Sequence, residues 1–400
     1  MKKIFYFFML SIVLFATACK KDKNNNNNNG ASKSGTTLQL VEDSIYLYAL
    51  EDYLWNTSLP SFATFDPRGT ATGTTAGATL TNEVNKLSQY AINPATNMPY
   101  EYYAPNPGEA KYSFIDSGQV SSELNGNRGD FGFAPLYNTT TDLRVKYVYP
   151  GSPADLAGVK RGYQITAING NTNLTYDGNT TGTNVNFIIN AYAYSSNITM
   201  TLVKPDGTSF NVSLAAANYT VNPVITYKVF NQGNGHVVGY MVFNSFTSDA
   251  NADPQLATAI NYFVSQQVTD LVVDLRYNGG GYVSTAEHLD NLIVPAAKSG
   301  TLMYNTYYNS NLVSHNDPLL ANQYTMQNGV TYNYSQFDYS VAGNAVKFAK
   351  TGALNVNRVF FIITGSTASA SELTMNNLRP EMDVQFIGTT SYGKPTGFFN

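Results

Sequence analysis

Hydrophobic and polar positions repeat with different periods along this chain. Leu38, Val41, Ile45 and Tyr48 recur at helical spacing, and Leu47, Leu50 and Leu54 widen the same apolar face. They predict a helix that Pro60 closes. A Gly/Thr/Ala loop, Gly69 to Thr79, separates it from a second predicted helix, Thr81 to Tyr90. Tyr46, Tyr48, Tyr53 and Trp55 are read as core packing rather than a ligand platform.

The period then shortens. Arg144 to Tyr149 alternates as a strand, and Pro150-Gly151 makes a turn. Ser152 or Pro153 opens a short helix that Gly158 ends. Tyr163 to Ile168 is a strand closed by Asn169-Gly170. Val185 to Tyr194 predicts a longer helix. Ile198 to Val203 and Ser209 to Leu214 predict a hairpin around Pro205-Asp206-Gly207.

From His236 strands alternate with helices. His236 to Phe246 is a strand and Pro254 to Gln267 a helix. Asp270 to Leu275 is a buried strand that runs into Arg276-Tyr277-Asn278-Gly279-Gly280-Gly281, and a helix follows from about Ser284 to Ile293. The glycines lack the G-K-[ST] and the G-x-G-x-x-G spacing of phosphate-binding loops. Val359 to Ile363 is a buried strand, a small-residue turn follows, and Glu372, Leu373, Met375 and Leu378 predict a short helix stopped by Pro380. Val384 to Ile387 is a second buried strand, with Gly393-Lys394 beyond it.

Ser369 lies at this strand-to-helix turn. Two readings stand side by side. Ser369-x-x-Glu372 fits a capping box, in which the serine only satisfies the helix N-terminus. The same position is where a nucleophile is exposed and neighbouring N–H groups point at an oxyanion.

Thr367 to Leu373, T-A-S-A-S-E-L, followed by Ser391 to Lys394, S-Y-G-K, resembles the active-site signature of the C-terminal processing peptidases. Asp274 to Gly281, D-L-R-Y-N-G-G-G, is similar to a second motif of that family, and residues 126–215 resemble a bacterial PDZ domain. The resemblance implies that Ser369 is the nucleophile and Lys394, 25 positions later, its base. It implies an oxyanion hole formed by Ala370 with Gly281 first and Gly280 second. Asp274 and Arg276 are read as pinning the turn. A lysine acts as a base only when burial lowers its pKa, because an ordinary amine stays protonated at neutral pH.

For the PDZ-like segment the resemblance implies capture of a peptide's terminal carboxylate at Phe131-Gly132-Phe133; a plain turn with two core phenylalanines is the other reading. Two positions depart from the family pattern: Phe398 stands where a glutamine often orients the lysine, and Pro380 where an aspartate often lies. Family members continue with further strands, so either the chain is truncated at Asn400 or its sheet is incomplete there.

No histidine competes as base by motif, since His236, His288 and His315 lie in unrelated contexts, and no histidine spacing suggests zinc. The 400 residues carry 23 basic and 27 acidic side chains, a net charge of −4, which gives no nucleic-acid-binding surface. Charged residues amount to 12%, and Asn, Thr, Ser and Tyr supply the polarity instead.

Lys2 and Lys3 before the apolar run Ile4 to Ala16 have the form of a signal peptide. Ala16-Thr17-Ala18-Cys19 resembles a lipobox, which makes Cys19, the single cysteine, the expected lipidated residue. The asparagine-rich stretch that follows is expected to be a flexible tether.

The expected order is therefore a signal peptide (1–18), a lipidated tether (19–36), a helical region (37–125), a PDZ-like domain (126–215) and an α/β peptidase domain (216–400), an α+β multidomain fold. The expected activity is that of a cofactor-independent, metal-free serine endopeptidase acting on polypeptides, lipid-anchored in the bacterial outer membrane. The alternative is a catalytically silent peptide-binding lipoprotein on the same scaffold.

Overall fold

The computed structural model describes residues 30–398 apart from 71, 117, 179–181 and 328–329. The expected signal peptide and Cys19 therefore lie outside the described residues. The described residues form two units, one up to Ile115 with those of Asn309–Gln336, the other of Asp116–Tyr308 with those from Phe337 onward.

The first unit is built on α1 (Thr37–Asp52) and α2 (Ala76–Ser88). Thr36 caps α1 through a full capping box with Gln39, and Thr75 caps α2, so the second helix starts five residues before its predicted first residue. Tyr46, Phe65 and Leu87 form its core, with Tyr46 and Phe65 stacked at 5.0 Å. Trp55 stacks on Tyr100 at 4.8 Å, and Tyr53 meets Trp55 edge-on, so these rings pack on one another. Sequence order placed residues 309–336 with the peptidase region, but they belong to this unit. Buried Glu51 accepts the N–H groups of Leu319 and Leu320, and the Asn309 amide donates to the carbonyls of Glu51 and Tyr53.

The second unit contains two five-stranded sheets. The first is antiparallel, in the order β1 (Phe133–Thr139), β2 (Asp142–Val148), β3 (Gln164–Ile168), β4 (Asn197–Val203), β5 (Ser209–Ala215). The short helix Pro153–Leu156, capped by Ser152, and α3 (Thr183–Ala193) complete it. Inward strand residues such as Leu143, Val145, Ile165, Ile168, Met200 and Leu202 fill one core with Phe131 and Phe133, a register shift after Ile165 bringing Ile168 to the same side.

The second sheet runs β6 (Val224–Gly233), β7 (His236–Phe243), β8 (Asp270–Asp274), β9 (Arg358–Ile363), β10 (Asp383–Gly388). Only β6 is antiparallel. Helices α4 (Asp249–Ser265), α5 (Val283–Ile293) and α6 (Ala370–Leu378) lie between successive parallel strands in the chain. Pro254 sits inside α4 instead of opening it, because the helix begins one turn earlier at Asp249. Leu271, Val273, Val359 and Phe361 are fully buried, as their unbroken apolar runs require. The last strand departs from expectation. It was read as buried, yet Phe386 and Ile387 are 43% and 49% exposed, because β10 is the outer strand of the described sheet.

Candidate active site

Ligands of open α/β sheets bind beyond the carboxyl ends of the parallel strands. Here β7, β8, β9 and β10 run, at those ends, into Phe246, the glycine loop Leu275–Gly281, the turn Thr364–Ser369, and the segment Thr389–Lys394. Hydrogen bonds join the four in series: Phe246 to the glycine loop, the glycine loop to the turn, and the turn to the last segment, where Thr367 O accepts Tyr392 N–H.

Ser369 is the N-cap of α6 and has φ +57° and ψ −120°, a conformation a non-glycine residue adopts only at a cost of about 1–3 kcal/mol. The surrounding bonds hold it there. The Thr367 hydroxyl donates to Leu275 O at 2.7 Å, and the Thr364 hydroxyl donates to Arg276 O. Asn278 O accepts both Ala368 N–H, at 3.1 Å, and the Ser371 hydroxyl, at 3.0 Å. The turn is thus bolted to the glycine loop on both sides of the serine.

Buried Asn278 shapes that loop from inside. Its side chain donates to Phe243 O at 3.0 Å and accepts Gly280 N–H at 2.9 Å. Gly280, at φ +104°, passes so close to the serine that a Cβ there would lie 2.7 Å from Ser369 Cβ and 2.9 Å from Ala370 N. Gly281, at φ +140°, presses against Phe246, whose N–H and carbonyl bond Gly280 O and Tyr282 N–H.

This revises one expectation. Gly280 was named as an oxyanion donor, but its N–H is taken by Asn278. Among the described residues the Gly281 N–H meets no acceptor of the chain. Ala370, the first helical residue, has no carbonyl one turn back to receive its N–H.

Asp274 and Arg276 pin the loop as read from sequence. The guanidinium grips the carboxylate through Nε at 2.9 Å, and the Tyr240 hydroxyl donates to it at 2.7 Å. Burial pushes the Asp274 carboxyl up, but the guanidinium and the phenol together hold it below the usual carboxylate range.

Glu372 binds the last segment to the serine. Its buried carboxylate accepts Ser369 N–H at 3.0 Å, Lys394 N–H at 2.9 Å, Gly393 N–H at 2.6 Å and the Ser391 hydroxyl at 2.6 Å. The Glu372 half of the predicted capping box is therefore present, and the same side chain also holds the lysine segment. Lys394 is half-buried, and its Nζ lies 3.5 Å from the ring centroid of Phe398. A cation over a ring face favours the charged ammonium. Among the histidines, His236 pairs with Asp270, His288 faces Asp253, and His315 contacts Ser335 O.

At the PDZ-type turn, Phe131 and Phe133 are buried core residues. Gly132, at φ +80°, lies against Ser152, where any Cβ would collide. Its N–H is not open to a ligand, because it donates to Asp130 Oδ1 at 2.7 Å. The Phe131 carbonyl accepts Ala154 N–H, and the Phe133 carbonyl accepts the Tyr192 hydroxyl. Asp130 is itself held by Arg128 and the Tyr219 hydroxyl, so a carboxylate of the chain already occupies the turn.

Residues 237–398 match the family model for Peptidase family S41, and residues 144–181 match that for a PDZ domain. Over these residues the chain is similar to the C-terminal processing peptidases. A carboxyl-terminal-processing protease of Picosynechococcus sp. is 30% identical over 43% of this chain and 39% of its own length. Carboxy-terminal processing protease CtpB of Bacillus subtilis is 24% identical over 75% of this chain and 52% of its own. This chain thus spans about half or less of the curated relatives' lengths. A solved structure described as a putative S41 protease from Bacteroides fragilis is 21% identical, with a TM-score of 0.47, covering 88% of this chain and 79% of the other.

Within this candidate site, sequence reasoning missed the work of two residues. Asn278 stood in plain view inside the glycine motif, and Glu372 was visible only as a helix cap. What no motif signals is that one carboxylate reaches both the serine and the lysine segments.

Proposed function

We propose that this chain is a serine endopeptidase working through a Ser369–Lys394 dyad and an acyl-enzyme. The observation that carries the reading is the Glu372 carboxylate shared by the main-chain N–H groups of Ser369 and Lys394. It holds the nucleophile turn and the lysine segment in one hydrogen-bonded cluster beside the glycine loop.

In this mechanism neutral Lys394 Nζ takes the proton of the Ser369 hydroxyl as Oγ attacks the scissile carbonyl. The oxyanion is received by the N–H groups of Ala370 and Gly281, and losing one such donor costs about 3 kcal/mol of transition-state stabilisation. Collapse expels the amine, which takes the proton from Lys394. Water then hydrolyses the ester by the same steps reversed. Substrates are polypeptides, with the PDZ domain recruiting their tails, and Cys19 anchors the protein by lipid in the bacterial cell envelope.

The contact of Lys394 with Phe398 favours a second reading, a silent peptide-binding scaffold, because it stabilises the protonated amine. An assay separates the two. The chain lacking residues 1–35 is incubated with an unstructured protein beside its Ser369→Ala and Lys394→Ala variants. Cleavage by the parent alone is expected. Equal cleavage by all three, or none by any, removes the peptidase reading.

A further inference from the structure

A cavity of about 300 Å³ opens between the PDZ sheet and the peptidase sheet, within the second unit. Lys146 on β2 and Arg161, in the loop before β3, line it from one side, and Tyr277 of the glycine loop from the other. Its charges do not balance. Asp155 is spent on Lys160 at 2.7 Å, and Asp274 on Arg276 and Tyr240. Lys146 and Arg161 make no ion pair among the described residues.

Both converge on one ring: Lys146 Nζ lies 4.4 Å and Arg161 Cζ 5.7 Å from the Tyr277 centroid. Lys146 is partly desolvated, which holds its ammonium below the ordinary lysine value. Two neighbouring cations of like charge, one of them partly dehydrated, are a site built for an anion.

We propose that Lys146 and Arg161, against the Tyr277 ring, bind the C-terminal carboxylate of a polypeptide. The site carries two uncompensated positive charges beside two carboxylates already paired, which suits an anionic group. Val148, Pro150 and Val242 give the cavity an apolar wall for the residues that precede the carboxylate. At the turn Phe131–Phe133 the Gly132 N–H is already taken by Asp130. Tyr277 directly precedes Asn278, which fixes the oxyanion loop, so a bound tail touches the residue next to the catalytic turn. The inference rests on the peptidase reading only for calling that tail a substrate's.

Binding is measured by fluorescence anisotropy on the Ser369→Ala chain, where no peptide is cut. The probe is the hexapeptide GGAYAA with fluorescein at its N-terminus, as free acid, as C-terminal amide, and as an amide with Glu in the last position. The free acid is expected to bind about tenfold more tightly than either amide, the size of effect a close charge pair produces. Lys146→Gln and Arg161→Gln are each expected to reduce that preference about threefold and together to abolish it.

Arg161 is exposed, so its variant decides the question should Lys146→Gln unfold. Equal binding of acid and amide, a preference that survives both substitutions, or tight binding of the Glu amide overturns the proposal. A carboxylate preference without cleavage by the parent upholds this site and removes the peptidase reading. Cleavage without the preference does the reverse.

Discussion

The Glu372 carboxylate accepts the main-chain N–H of Ser369 at 3.0 Å, and the same oxygen accepts that of Lys394 at 2.9 Å. Glu372→Ala leaves four donors without their acceptor and frees the lysine segment from α6. A misplacement of about 1 Å suffices for a 100-fold loss, so kcat/KM is expected to fall at least about that far. Glu372→Gln, which keeps the shape but turns one acceptor into a donor, should fall between. Circular dichroism at 25 °C checks that both variants stay folded, and an activity equal to the parent's sinks the idea.

Three consecutive glycines give an internal control. A Cβ at Gly279 meets nothing within 4 Å, at Gly280 it meets Ser369, and at Gly281 it meets Phe246 O at 2.0 Å. Gly279→Ala is expected to change stability by no more than about 0.5 kcal/mol. Gly280→Ala should lower activity most, because the strain falls on the Ser369 turn. Gly281→Ala should be the least stable, adding a backbone clash to about 1–3 kcal/mol of strain at positive φ. Urea melts and kcat/KM on the three proteins test this ranking.

Phe398 bears on the acid limb of activity. Its ring over Lys394 Nζ favours the ammonium, which is the inactive form of the proposed base. Removing the ring as Phe398→Ala therefore makes the neutral amine easier to reach. The acid limb of the kcat/KM profile is expected to move to lower pH. A shift to higher pH shows that the ring aids the base instead.

Glu83 makes a prediction about stability in the first unit. It is fully buried, neither oxygen has a hydrogen-bond partner in the described structure, and desolvation followed by the Glu42 and Asp43 charges pushes its pKa up to about 8. A carboxyl whose folded value lies above its unfolded one binds its proton more tightly when folded. Stability is thus greatest below the unfolded value and falls as pH rises from about 4.5 to 8. Glu83→Gln should remove that decline, gaining on the parent at pH 8 relative to pH 4.5. Trp55, the single tryptophan, lies in this unit, so its fluorescence during thermal unfolding reads the effect. Parallel pH dependences in the two proteins refute the assignment.

The chain's own pattern determined the elements and most of their order. Period-two alternation in β2 and β4, unbroken apolar runs in β8 and β9, and stop signals such as Gly158 and Pro380 are local, so they can be read one segment at a time. The chemistry-bearing turns were legible for the same reason: Ser369 and the three glycines sit where a strand stops.

Tertiary structure alone decided what those turns touch. Residues 309–336 joined the first unit because Glu51 and Asn309 bond across more than 250 positions of sequence. The Gly280 N–H was lost to Asn278, the PDZ-type turn was filled by Asp130, and Ile387 was left exposed on an outer strand. Each outcome depends on which donors meet which acceptors after the sheets assemble. A hydrogen bond is set by distance and angle in space, and spacing along the chain carries neither.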